Sequence, residues 1–277
     1  MFNFNTQIIK LNNNYFTRYY DSGGNGEAVI LLHGLALSIE IWGKIIDGLK
    51  DKFRVLAFDF PGFGQADKPN VNYDSEFFGE QIIAFMDTLN IENAHLIGSS
   101  LGGSTLVRLS KKHQHRMNKI ILMAPGGFGR ECNIIMRAPS LPLIGYILGT
   151  PSYSSNKFSM SLSMADKNNV THELLETITK YSSMKGYQRA FIRCVKSGIG
   201  PFGVKNVESF RECARNIKCD CLIIWGKQDK VFPLFQANIA HELIENSKLA
   251  IIENCGHYPH WEQAESFLKY TIDFLKI

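Results

Sequence analysis

The strongest constraint on this chain is a rhythm: short unbroken apolar runs alternate with segments of helical spacing. Residues 28–32 (Ala-Val-Ile-Leu-Leu) precede apolar positions at Ile41, Trp42, Ile45, Ile46 and Leu49. Residues 53–58 precede a helical pattern over 75–89, and 94–97 lead through a helix opening after Ser100 to a run at 119–124. The alternation resumes with strands at 222–225 and 249–252, each followed by a helix, at 233–244 and 261–275. Continuous apolar runs suit strands that are covered on both faces. Strand and helix in alternation imply right-handed crossovers, hence an α/β fold with a mostly parallel sheet and helices on both sides. Ahead of it, residues 7–11 and 15–20 flank Asn12-Asn13-Asn14, a turn signal that predicts a hairpin and an antiparallel edge.

Residues 126–214 break the rhythm. Pro139, Pro142 and Pro151 punctuate them, and a Ser/Asn-rich passage runs over 152–169. Helical patterns follow at 171–184, 186–196 and 207–214, with no strong strand signal. The expected organisation is a core of residues 1–125 and 215–277, carrying a mainly helical insertion of residues 126–214 on one side of the sheet. Within it, 152–169 is expected to be a mobile loop.

With 45% hydrophobic residues in 277, the chain is too apolar to be disordered. Its net charge of +4 suits the approach of an anion but lacks the concentrated field that nucleic-acid binding needs. The six cysteines are scattered, and Cys219-Asp220-Cys221 lacks the spacing of a zinc knuckle. Reduced thiols in a cytoplasmic protein are therefore expected, with no bound metal. The opening MFNFNTQIIK does not read as a signal peptide, and no apolar run approaches the ~20 residues of a membrane span.

The chemistry centres on Gly98-Ser99-Ser100-Leu101-Gly102-Gly103, between a predicted strand and a predicted helix. This is the context of a nucleophile elbow. So tight a turn needs nearly bare residues two before and two after the nucleophile. Gly98 and Gly102 flank Ser100 in that way, whereas Ser99 would have Ile97 and Leu101. A serine hydroxyl needs a base. Of the eight histidines, His113 and His115 sit in a basic helix end, and His172 and His241 fall on helix surfaces. His95 begins a strand, and His33 reads as a prop for its own loop. His257 follows the last strand, at the carboxyl edge where sites of open α/β sheets lie. It is preferred to His260, about one helical turn on. Asp229, beyond Trp225-Gly226-Lys227-Gln228, shares that edge and is the expected acid, unlike Asp166, Asp220 and Asp273. For the oxyanion, the backbone N–H of Leu101 opens a helix, and the loop His33-Gly34-Leu35-Ala36 supplies a second donor, assigned to Leu35 with Ala36 as substitute.

These motifs, in this order, resemble the α/β-hydrolase superfamily. The resemblance rests on His33-Gly34 with Trp42 downstream, Asp59-Phe60-Pro61-Gly62-Phe63-Gly64, the elbow, Trp225 to Asp229, and Gly256-His257 before Trp261-Glu262. It implies that residues 126–214 form a helical cap over the site and that no cofactor is needed. Ser100 argues against the dehalogenase and epoxide hydrolase branches, which use aspartate at the elbow. Met123 to Gly129 and Cys255 to Glu262 look like segments of meta-cleavage-product hydrolases, which cut carbon–carbon bonds. Those enzymes usually carry a glycine- and proline-rich loop where this chain has Leu35-Ala36-Leu37-Ser38. The first expectation is thus a carboxylesterase-like serine hydrolase of esters, thioesters included. The alternatives are a C–C hydrolase of the meta-cleavage-product type and a non-catalytic small-molecule receptor. The expected partner is a small ester-like substrate, whose acyl or aryl group the apolar Leu35-Ala36-Leu37 loop and Phe128 predict to be uncharged. The chain is expected to be a monomer or homodimer.

Overall fold

The computed structural model describes residues 4–141, 145–146 and 150–276; Pro142 and residues 1–3 lie outside them. The large sheet is built from β1 (Thr6–Lys10), β2 (Phe16–Asp21), β3 (Ala28–Leu32), β4 (Arg54–Phe58), β5 (Ala94–Ser99), β6 (Met117–Met123), β9 (Asp220–Gly226) and β10 (Ser247–Ile252). Their order across the sheet is β1-β2-β4-β3-β5-β6-β9-β10. Strand β2 pairs antiparallel with both neighbours, and every pairing from β4 to β10 is parallel. The expected hairpin is present, with Asn14 at φ +74° closing its turn.

Alternate residues of each strand point to opposite faces, and both faces are filled. Ile30, Leu32, Leu56, Phe58, Leu96 and Leu122 belong to one buried cluster. Val29, Leu31, Val55, Ala57, Ile97 and Ile121 belong to the other. The helices α1 (Gly43–Leu49), α2 (Ser75–Thr88) and α3 (Leu101–His113) fall where the spacing predicts them, although residues 39–42 wind as a 3-10 turn before α1. No described helix is long and apolar enough to cross a membrane.

One expectation for residues 126–214 is corrected. Residues 152–169 are not a loop: Tyr153–Ser163 is a helix, opened by a capping box in which Ser152 and Ser155 satisfy each other's backbone N–H. Asn156 donates to Thr179 Oγ1 and Ser182 Oγ at 3.1 and 3.2 Å, so the polar residues that suggested a loop instead seat this helix on Helix His172–Ser182. A short antiparallel pair, β7 (Ile199–Gly200) and β8 (Gly203–Val204), also lies here, too brief to show as a pattern.

A buried ionic cluster ties helix His172–Ser182 to the sheet. Arg18 on β2 binds Asp59 through Nε at 2.9 Å and Glu40 through Nη1 at 2.7 Å. Tyr181 OH accepts from Arg18 Nη1 and donates to Glu40 Oε1, both at 2.8 Å. Removing one member leaves buried charge undersatisfied. Tyr181→Phe is expected to cost about 2 kcal/mol of stability, read as a shift of the denaturant midpoint with unchanged slope.

Candidate active site

Ser100 stands between β5 and α3 with φ +50° and ψ −106°, a backbone state that strains a residue bearing a Cβ. Hydrogen bonds hold it there. Its N–H donates to Met123 O at 2.8 Å, and Ser104 Oγ donates to its carbonyl at 3.0 Å. A Cβ at Gly98 would come within 2.5 Å of Gly102 C and Gly103 N, and one at Gly102 would run into the Leu32 carbonyl. Both glycines are therefore steric requirements of the elbow. Ser99 is fully buried, and its hydroxyl has no partner among the described residues.

Asp229 follows β9. Its Oδ1 accepts the Val231 and Phe232 N–H groups at 2.7 and 3.1 Å, which fixes the carboxylate plane. Its Oδ2 lies 2.8 Å from His257 Nδ1, and the two side chains are 0% and 3% exposed. An ionised carboxylate only accepts, so the bonding assigns the proton to Nδ1 and leaves the Nε2 lone pair free. His257 sits in the loop beyond β10, held by donation of its N–H to Ser163 O at 2.7 Å and flanked by Phe232 at a ring separation of 5.6 Å. Asp229 and His257 are thus paired. Ser100 lies at the same carboxyl edge of the sheet, at the end of β5, and among the described residues no hydrogen bond joins it to the imidazole.

Gly34 packs against the serine, since a Cβ there would lie 3.4 Å from Ser100 Cβ. The following turn closes by Leu37 N–H to Gly34 O at 3.3 Å, with Ala36 at φ +66°. Among the described residues, the Leu35 and Leu101 amides donate to no protein group. His33 props this loop, as expected: Nε2 accepts the Phe60 N–H at 2.9 Å, so Nδ1–H donates to Gly34 O at 2.8 Å. Burial lowers its pKa and keeps it neutral.

A cavity of about 480 Å³ opens beside Ser100, and its apolar lining includes Leu35, Leu101, Met136, Phe210 and Phe232. Phe128 is not part of that lining: it is fully buried behind Phe210, at a ring separation of 5.1 Å. The exposed Lys111 and Lys112 also border the cavity, but eleven and twelve residues beyond Ser100 along α3 place them roughly 17 Å from the serine.

His260, the rejected candidate, is buried against Trp42 at 4.4 Å between ring centroids, and among the described residues neither ring nitrogen has a hydrogen-bond partner. Burial, with His257 close by, pushes its pKa down to about 3. The sign follows. The unfolded chain takes up a proton below about pH 6.5 that the native ring refuses until about 3, so stability falls as pH falls through that window. Between pH 7 and pH 5 this costs about 2 kcal/mol. His260→Leu is expected to flatten the fall, checked by melts across that range. Sequence reasoning missed the Arg18 cluster and also Glu262, whose carboxylate accepts backbone N–H groups on both sides of His257.

The architecture and this edge define a hydrolase of the α/β class, and residues 27–264 match the alpha/beta hydrolase fold family model. The chain belongs to that family. It is 29% identical to a 2-hydroxy-6-oxo-6-phenylhexa-2,4-dienoate hydrolase of Comamonas testosteroni, over 94% of this chain and 92% of that one. A 2-hydroxy-6-oxononadienedioate/2-hydroxy-6-oxononatrienedioate hydrolase of Pseudomonas putida is 27% identical over 93% and 90%. Among solved structures, a meta-cleavage product hydrolase from Pseudomonas fluorescens superposes with a TM-score of 0.82 at 27% identity, covering 98% of this chain and 97% of that one.

Proposed function

We propose that this hydrolase cleaves the carbon–carbon bond next to the ketone of 2-hydroxy-6-oxo-2,4-dienoates, beneath a cap formed by residues 126–214. The observation that carries this reading is near full-length similarity to enzymes named for that substrate class. It puts the C–C alternative ahead of the ester hydrolysis expected first.

In the proposed reaction the dienol first tautomerises, C5 gaining a proton as the 2-hydroxyl loses one, which gives a 2,6-diketone. Ser100 Oγ then adds to the C6 carbonyl while His257 Nε2 takes its proton. Asp229 holds the ring in that tautomer and stabilises the imidazolium. The new oxyanion meets the Leu35 and Leu101 amides, which are free to donate. Collapse breaks C5–C6, and the electron pair passes into the conjugated 2-oxo system, which makes a carbon leaving group tolerable. The imidazolium returns its proton to that dienolate. Water, deprotonated by His257, then releases the acid from Ser100. The net change is one water consumed, yielding a carboxylic acid and a 2-hydroxypenta-2,4-dienoate.

The apolar lining at Leu35, Met136, Phe210 and Phe232 supports an aryl or alkyl substituent at C6. Hydrolysis of an ester by the same residues is the second reading, favoured by Leu35-Ala36-Leu37-Ser38 in place of a glycine- and proline-rich loop. Steady-state kinetics with the 6-phenyl dienoate, followed by loss of its colour, and with p-nitrophenyl butyrate separates the two. The proposal expects the higher kcat/KM for the dienoate, and a higher kcat/KM for the 6-phenyl than for the nonadienedioate substrate. Efficient ester turnover with the dienoate left coloured would replace the first reading by the second. Saturable binding of either compound without repeated turnover would favour a receptor.

A further inference from the structure

Glu262 ends the short helix Pro259–Glu262 and is buried. Its carboxylate is shared between two parts of the chain. Oε1 accepts the N–H of Gly256 at 3.0 Å and that of Tyr258 at 3.2 Å, the residues immediately before and after His257. Oε2 accepts the N–H of Ala165 at 2.7 Å, just beyond helix Tyr153–Ser163. The two parts also touch directly. His257 N–H donates to Ser163 O, and a Cβ on Gly256 would lie 2.5 Å from that same oxygen and 2.7 Å from Ala165 N. Burial alone raises the pKa of Glu262, and the three N–H donors and the neighbouring His257 oppose that rise.

We propose that Glu262 is a positioning residue that couples the seating of segment 163–165 to the placement of the His257 imidazole. One oxygen fixes the backbone on both sides of the base, and the other fixes the chain that descends from helix Tyr153–Ser163. The inference rests on His257 being the base. The charged and titratable groups around that ring are Asp229 at 2.8 Å, Glu262 through its flanking amides, and the side chains of Tyr258 and His260.

The test compares Glu262→Gln with Ala165→Pro in the full chain. An amide has one accepting oxygen, so its NH2 must face a backbone N–H, and Glu262→Gln breaks one arm of the bridge. Ala165→Pro removes the N–H of the second arm and also fixes φ at that position, while leaving the Glu262 carboxylate and its bonds to Gly256 and Tyr258 in place. Kinetics are normalised to serines titrated with a fluorophosphonate, so that unfolded protein is not counted. Displacing a base by about 1 Å costs on the order of 10²-fold. Glu262→Gln is expected to lower kcat by about 10–100-fold, with less change in KM and a parallel fall in the labelling rate of Ser100. Loss of a negative charge near the imidazolium also moves the acid limb of kcat/KM to lower pH, which a purely structural contact would not do. Ala165→Pro is expected to lower kcat without moving that limb. Wild-type kcat and an unmoved limb in Glu262→Gln would overturn the proposal. Should that variant not fold, wild-type kcat in Ala165→Pro would overturn it. Retained activity in His257→Ala would instead refute the base assignment on which it rests.

Discussion

Ser100→Ala is expected to fold as the wild type does and to lose about 10⁴-fold or more in kcat on its best substrate. The stability half follows from contacts. The elbow is held by the backbone bonds of Ser100 to Met123 O and from Ser104 Oγ, and by Gly98 and Gly102, none of which uses the hydroxyl. The rate half follows from chemistry. Without Oγ no acyl-enzyme forms, and only the amides and the bound geometry remain to help water attack directly. Kinetics at matched circular dichroism and melting temperature check both halves. Turnover near the wild-type rate would move the nucleophile elsewhere.

Asp229→Asn is expected to cost about 10⁴-fold in kcat, by a different route. The asparagine Oδ1 can keep the Val231 and Phe232 N–H bonds, so the loop after β9 persists. Its amide nitrogen then faces His257 Nδ1 where a carboxylate accepted at 2.8 Å, and the ring must move its proton to Nε2. A base protonated on the wrong nitrogen cannot take the serine proton. Proton NMR of the imidazole should therefore report the change of tautomer alongside the loss of rate. Unchanged rates with an unchanged tautomer would assign the acid to another residue.

Much of this was legible in the sequence because it is local. A strand covered on both faces must be apolar throughout, so β3 to β6 announce themselves, and an elbow must have bare flanking residues, so Gly98 and Gly102 mark Ser100. His257 and Asp229 were readable because a parallel sheet collects its strand ends at one edge, and their pairing is observed. What escaped depends on contacts between distant residues. Arg18 and Tyr181 meet across 163 positions, and Glu262 reaches Ala165 across 97. No periodicity encodes such encounters. The helix Tyr153–Ser163 escaped for another reason: its serines and asparagine serve as caps and as bonds to the adjacent helix, roles that composition does not separate from loop formation. Phe128 was misplaced because an aromatic residue near a site reads alike whether it lines the cavity or backs the residue that does.

The account stands on a hydroxyl at position 100 that is made nucleophilic by the ring at 257. Labelling the folded enzyme with a fluorophosphonate and mapping the modified peptide by mass tests this most directly. The account predicts one phosphonyl group per chain on Ser100, and almost none when His257 is alanine. Labelling at another residue, or undiminished labelling of Ser100 without His257, would contradict it.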